Sequence, residues 1–178
     1  MIGQDDLTLV KQSLSGDNKA FESIVDKYQK TIFNVALKVT DDHDDAEDIT
    51  QSVFIKAYEK LDSFDPKYRF FSWLYRIVIN ESLNFVNQRN RFEGLDESAA
   101  STEKSPEESY DETQTTKAVQ DALMNLSLEQ RVVIVLKHFQ DLPYRDIGYI
   151  LDLPERTVKS RLFSARQALR EILTRKAL

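Results

Sequence analysis

The 178-residue sequence contains no cysteine and only two histidines, His43 and His138. Disulfides, thiolate metal sites, iron–sulfur ligation and a cysteine nucleophile are excluded together. A histidine-based metal or acid–base centre has little to draw on. Glycine and proline are scarce, four of each. Gly3, Gly16, Gly94 and Gly148 stand far apart, so no glycine-rich loop closes on a phosphate. The longest apolar run, Val132 to Leu136, is five residues, against the roughly 20 that span a bilayer. The opening MIGQDDLTLV has neither a basic segment nor a long apolar stretch, so no secretory signal is expected. No internal repeat is visible. These absences predict a cytoplasmic protein with no membrane insertion, no cofactor and no metal.

What is present is a folded composition, 41% hydrophobic and 30% charged, with ten Phe, seven Tyr and one Trp. The net charge of −6 hides a sharp partition. Residues 1–66 carry −7, residues 67–92 carry +4, residues 93–113 carry −7 and residues 155–178 carry +5. With a screening length of about 8 Å at physiological salt, a nucleic-acid phosphate responds to the local patch. Two basic surfaces separated by an acidic connector are the organisation to explain.

Apolar residues at three- and four-residue steps predict helices nearly throughout. Phe21, Ile24, Val25, Tyr28, Ile32, Val35, Ala36 and Val39 line one face, after a break at Gly16-Asp17-Asn18 that offers an N-cap. Shorter patterns predict helices over 6–14 and 44–60. A long helix is expected over 70–91, with Leu74, Ile77, Val78, Phe85 and Val86 inside. Helices over 114–125, 128–139, 144–151 and 155–175 follow, the second opened by a Ser127–Gln130 capping box. Residues 93–113 show no periodicity and read as a flexible acidic linker. The fold class is all-α, in two small helical domains over 1–92 and 114–178.

From Pro143 the sequence runs PYRDIGYILDLPERTVKSRLFSARQALREIL. A short helix, a tight break at Asp152-Leu153-Pro154 and a longer basic helix have the spacing of a helix-turn-helix, with Gly148 as the small residue where the elements cross. The outer face of the second helix holds Arg156, Thr157, Lys159, Ser160, Phe163, Ser164 and Arg166, with no carboxylate among them. Guanidinium, ammonium and hydroxyl donors with one apolar ring suit the major groove. In the N-terminal half, FDPKYRFFSWLYR interleaves aromatic rings with Lys67, Arg69 and Arg76. Ser72, Arg76, Asn80, Asn84, Asn87 and Arg91 follow on one acid-free face. Rings among cations are what single-stranded DNA binding asks for, and six rings are more than a small domain is expected to bury.

DDAEDITQSVFIKAYEKLDSF, FFSWLYRIVIN and LPYRDIGYILDLPERTVKSRLFSARQALR together resemble bacterial sigma factors of the extracytoplasmic-function (ECF) group, over about residues 5–92 and 114–175. The resemblance implies a sigma-2 and a sigma-4 domain, binding to core RNA polymerase at the β′ clamp helices and the β flap, promoter recognition and strand opening, with an anti-sigma factor or other regulatory protein as a further partner. It implies three surfaces. Asp44, Asp45, Glu47, Asp48, Gln51, Phe54 and Ile55 would dock on the clamp helices. Lys56, Asp62, Phe64, Lys67, Arg69, Phe71, Trp73, Arg76, Asn80 and Asn84 would read the −10 element as a single strand, with an extruded base held in a pocket. Arg156, Thr157, Lys159, Ser160, Arg161, Phe163, Ser164 and Arg166 would face the −35 element. Ser52 stands where the family commonly has an acid, and Pro143 replaces a Ser-like helix cap. The acidic linker is expected to thread a basic polymerase channel. Other readings are a stand-alone helix-turn-helix regulator with an N-terminal sensing or dimerisation domain, and a helical adaptor that binds only proteins. No constellation of catalytic residues appears.

Overall fold

The ends of the helices follow from side chains at the break points. A computed structural model of the chain describes residues 2–93 and 114–176. The acidic linker expected over 93–113 lies outside the described residues from 94 onward. Helix α1 spans Ile2–Leu14. Asp17 then caps α2, Asn18–Thr40, by accepting from the Lys19 amide at 3.0 Å. Asp41 ends α2 in the left-handed region, φ 59°, with its N–H on the Leu37 carbonyl. Its neighbour Asp42 caps α3, His43–Glu59, by accepting from the Asp45 amide at 2.9 Å. Two successive aspartates thus turn the chain through a tight corner, one tolerating positive φ and one supplying the cap.

A single 3-10 turn, Leu61–Ser63, leads into an exposed loop, and α4 spans Phe70–Glu93. The remaining elements are α5, Gln114–Met124, α6, Leu128–Ile134, α7, Tyr144–Leu151, and α8, Glu155–Lys176. The expected capping box is present: the Gln130 amide donates to Ser127 Oγ, and the Ser127 amide donates to Gln130 Oε1, both at 3.3 Å. The helix expected over 128–139 does not run on as an α-helix. It widens at Val135–Phe139 into a π-helical turn, where the Gln140 amide reaches back five residues to the Val135 carbonyl at 3.2 Å. The wider turn buries Val135 and Leu136 while leaving His138 and Phe139 exposed. Every element among the described residues is helical, as the periodicity implies.

The N-terminal helices share a core of Ile24, Tyr28, Ile32, Val35, Val39, Ile49, Val53, Leu74, Val78 and Ile79. Ile79 is fully buried, whereas Ile77 and Phe85, expected inside, are only half-buried. Helix α1 is pinned by one buried carboxylate: Asp6 accepts from Tyr28 Oη at 2.7 Å and pairs with Lys27 Nζ at 2.5 Å. The C-terminal helices have a smaller core of Leu123, Leu126, Val133, Ile134, Leu162 and Ala165. The two groups do not stand apart. Val132, Val135, Leu136, Leu142, Ile147, Ile150 and Val158 continue the N-terminal core into the C-terminal group.

Arg131 ties the groups from inside. It is 7% exposed and donates to the carbonyls of Leu123, Met124 and Leu126, and across the seam to that of Val39. These acceptors lie at the C-terminal ends of α5 and α2, where carbonyls lack helical partners and a cation is favoured. Gln120 adds long bonds to the Leu37 and Lys38 carbonyls at 3.4 and 3.5 Å.

Candidate nucleic-acid interface

The break between α7 and α8 is set by two residues. Asp152 takes φ 55° and closes α7 onto the Gly148 carbonyl, which also accepts the Leu153 amide at 2.9 Å. A Cβ at position 148 would meet the Leu153 carbonyl oxygen at 2.7 Å. The small residue is therefore required by the turn's own backbone rather than by the second helix crossing over it. Pro154 accepts the amides of Thr157 and Val158 through its carbonyl, at 2.9 and 3.1 Å, and so starts α8. Pro143 precedes α7 with no side-chain cap.

With Val158, Leu162 and Ala165 buried, α8 turns its other side to solvent. Arg156, Lys159, Ser160, Phe163, Ser164 and Arg166 are exposed, Phe163 to 65%, and Thr157 is half-buried. Arg161 is also half-buried and pairs with Glu129 at 3.2 Å, so it holds α8 to α6. Arg166 donates to His138 Nε2 at 3.1 Å. Ser164 Oγ accepts from Gln130 at 3.3 Å. Burial pulls the His138 pKa down, helped by the positive Arg166 and Lys137 and opposed by Asp141. The expected face is present as one continuous exposed surface.

The surface around α4 differs from its expectation. Of the six rings in FDPKYRFFSWLYR, Phe64, Phe70, Trp73 and Tyr75 are buried. Phe64, Phe70 and Trp73 pack on one another with centroids 5.4 to 5.7 Å apart. Phe64 and Trp73 are core residues, which corrects their expected place on a stacking surface: four helices and the following loop enclose more rings than the length suggests. Ser72 is buried as well, its hydroxyl without a hydrogen-bond partner. Lys56 pairs with Glu81 at 2.5 Å, and the Ser52 hydroxyl donates to the same carboxylate at 3.0 Å. The one acid on the basic stretch is thus spent inside the fold. Asp62, Lys67, Asn80 and Asn84 are exposed.

The first two turns of α4 face α7. The half-buried Arg76 donates from Nη1 to the Tyr149 carbonyl at 3.0 Å, and its guanidinium lies over the Tyr149 ring at 5.3 Å. Tyr68 stacks on the same ring, centroids 3.9 Å apart and planes 17° from parallel. Tyr75 Oη donates to Gln140 Oε1 at 2.8 Å, and its burial pushes its pKa up to about 12. Arg69 lies 4.0 Å from Asp146 and over the half-buried Phe71 ring.

On α3, Asp44, Glu47, Asp48, Gln51 and Ile55 are exposed, Ile55 to 60%. Their spacing puts carboxylates at one end of a stripe and an apolar side chain at the other. Phe54, expected on this stripe, is 8% exposed and belongs to the core, one position off the face. Asp45 is turned inward to Arg89 at 3.0 Å. Desolvation and the neighbouring Asp42 raise its pKa, against the lowering by Arg89.

Family models match two parts of the chain, Sigma-70 region 2 over residues 24–92 and Sigma-70 region 4 over residues 116–169. SigW, an ECF RNA polymerase sigma factor of Bacillus subtilis (strain 168), is 35% identical over 176 residues, covering 92% of this chain and 94% of SigW. The chain belongs to the ECF RNA polymerase sigma factors. The RNA polymerase sigma-H factor of Pseudomonas aeruginosa is similar too, 33% identical over 96% of this chain and 94% of its own length. Among solved structures, the sigma factor RpoE in complex with the anti-sigma factor NepR, from Bartonella quintana, superposes with a TM-score of 0.75. It is 27% identical and covers 88% of this chain and 98% of that one.

As a member of this family, the ECF factor works with core RNA polymerase in promoter recognition and transcription initiation. The stand-alone regulator gives way, because its sensing domain coincides with Sigma-70 region 2. Among the described residues no helix is long and apolar enough to cross a membrane. Sequence reasoning missed Arg131, Tyr149, Gln140 and the inward role of Glu81. For Tyr149 a signal existed: YRDIGYIL has more apolar positions than one buried face of a short helix needs.

Proposed function

We propose that this ECF factor reads the −35 element as duplex with the outer face of α8, captures the −10 element as a single strand with the loop after α3 and the exposed side of α4, and docks on the polymerase β′ clamp helices through α3. Arg156, Lys159, Ser160, Phe163, Ser164 and Arg166 face the major groove, and Lys67, Asn80 and Asn84 meet the displaced strand. Asp44, Glu47, Asp48, Gln51 and Ile55 combine charge steering with a desolvated apolar contact on a basic coiled coil. The C-terminal helices contact the β flap, and the protein works in the cytoplasm. An anti-sigma factor holds it in reserve, by analogy with the RpoE relative.

The observation that carries this reading is the α8 face: six exposed side chains with donors or a ring, free of carboxylates, on a helix set by a turn in which any side chain at 148 would crowd the Leu153 carbonyl. No catalysis by the chain is required. Extruding a base costs a few kcal/mol, offset by stacking and amide hydrogen bonds. The test is reconstitution with core RNA polymerase on promoter DNA. Lys159→Ala is expected to weaken −35 duplex binding by about 1–3 kcal/mol and leave opening of a pre-bound promoter intact. Asn80→Ala is expected to impair strand opening and leave duplex affinity unchanged. Failure of the chain to join core polymerase overturns the reading.

A further inference from the structure

The ring of Tyr149 is held in an unusual way for a side chain on a helix surface. Tyr68 stacks flat against it at 3.9 Å, and the Arg76 guanidinium lies over it at 5.3 Å while bonding the Tyr149 carbonyl. An aromatic platform with a guanidinium is how proteins hold an unstacked nucleobase. Tyr68 is exposed to 40% even with Tyr149 on it, and a groove of about 500 Å³ lined by Tyr68, Arg76, Arg145 and Tyr149 opens beside the pair. Tyr68 and Arg76 belong to the surface that α4 and its loop offer to the displaced strand, yet α7 occupies them.

We infer that Tyr149 is an intramolecular stand-in for a base: in the free chain its ring fills the Tyr68–Arg76 cradle, and an unpaired base of the −10 strand takes its place once α7 lifts away. Tyr68 is thereby a base-stacking residue, and the C-terminal helices inhibit single-strand binding by the N-terminal ones. This rests on the −10 reading above and adds to it both the cradle and its occupant.

The closure rests on the apolar core that Val132, Leu136, Ile147 and Ile150 continue from the N-terminal group, and its polar contacts are of a reversible kind. Asp146 Oδ2 is buried, has no hydrogen-bond partner and faces the Arg69 guanidinium across a long 4.0 Å ion pair. A buried carboxylate oxygen held by so long an ion pair and by no hydrogen bond gains from exposure to water, which favours opening. When the seam opens, Arg131 loses only its bond to Val39 and keeps three acceptors within the C-terminal group. The α8 face and the α3 stripe are exposed in the closed arrangement. Polymerase docking and −35 contact are compatible with the cover in place; −10 capture is not.

The test uses the full chain. Because the sequence has no cysteine, Ser15→Cys and Arg170→Cys accept a dye pair that reports separation of the groups by energy transfer. The binding probe is a fluorescent single-stranded deoxyoligonucleotide pool of random sequence. Tyr149→Ala is expected to lower energy transfer and to tighten single-strand binding about tenfold or more, as removal of a dominant closed state requires. Tyr149→Phe keeps the ring and is expected to match the parent. Tyr68→Ala combined with Tyr149→Ala opens the chain without the gain in affinity. Gln140→Ala, at the half-buried end of the Tyr75 bond, gives a partial version of the same effect if Tyr149→Ala folds poorly. Equal energy transfer in the parent and Tyr149→Ala, or opening with unchanged single-strand affinity, overturns the inference. Loss of the −10 assignment itself is read separately, as normal strand opening by holoenzyme carrying Asn80→Ala.

Discussion

The outer face of α8 and the opening turns of α4 carry the same chemistry and meet different fates. Both are runs of cations, small polar side chains and aromatic rings, and both stand out in the sequence for their lack of acid. On α8 the face stays in solvent, with Phe163 65% exposed, even where Arg166 bonds His138, Ser164 bonds Gln130 and Lys159 lies over the Tyr144 ring. At the start of α4 the equivalent side chains are engaged, Arg76 on Tyr149 and Trp73 in the core, while the exposed Arg69 just before it lies 4.0 Å from Asp146 and Lys56 of α3 pairs with Glu81. A face rich in binding chemistry is thus equally able to bind another part of its own chain. The difference lies in what packs nearby. Helix α8 packs on α5, α6 and α7 through its apolar side, whereas α4 is crossed by α7 near its start and packs on α3. On the reading proposed above, this asymmetry predicts that duplex contact precedes single-strand capture.

The largest way to break the comparison is to remove the tie that fixes the C-terminal group against the N-terminal one. Arg131→Met removes the donor that the carbonyls of Leu123, Met124, Leu126 and Val39 share, of which Leu123 keeps the Leu126 amide. A loss of about 3 kcal/mol in unfolding free energy is expected, measured by urea denaturation, along with increased separation of the dye-labelled groups.

A smaller effect, confined to the open face, is expected from Gly148→Val. The added Cβ meets the Leu153 oxygen at 2.7 Å, so the turn must shift and α8 with it. Destabilisation of about 1–3 kcal/mol is expected, with loss of −35 duplex binding. Association with core polymerase is expected to persist in this variant; a fall in both together would show that the core the two groups share carries the distortion into the N-terminal helices.

The smallest effect sharpens the comparison at the edge of α8. The His138 pKa is pulled below its ordinary value mainly by desolvation, and its Nε2 accepts from Arg166. The folded state therefore favours the neutral ring. That contribution to stability is present above the ordinary pKa of about 6.5 and is lost as pH falls below it. Lowering the solution from about pH 7.5 to about pH 5.5 is expected to reduce Tm slightly, and His138→Gln to flatten that slope, as followed by circular dichroism. An unchanged slope in the variant removes His138 as its source.

Much of this architecture was legible in the linear pattern. The helix periods, the cap at Asp17, the Ser127–Gln130 box and the break at Asp152-Leu153-Pro154 are interactions between residues a few positions apart, and they form as the sequence implies. The α8 face was legible for the same reason, since one helix decides which of its sides is apolar. Phe54 and Ile55 show the limit of the method: adjacent residues were both assigned to the docking stripe, and a 100° rotation puts one in the core and the other in solvent.

The sequence by itself determined that the chain is helical, where most of its breaks fall, how charge is partitioned along it, and which helix carries an acid-free face of donors. Only the tertiary structure decided which rings are core, which cations are already paired and that Tyr149 lies in the cradle made by Tyr68 and Arg76. The reason is range. Capping and periodicity act over three or four residues, whereas Tyr75 meets Gln140 across 65 positions and Arg131 meets Val39 across 92. Burial at such distances is set by which elements pack together, and a one-dimensional pattern of apolar and charged residues leaves that choice open.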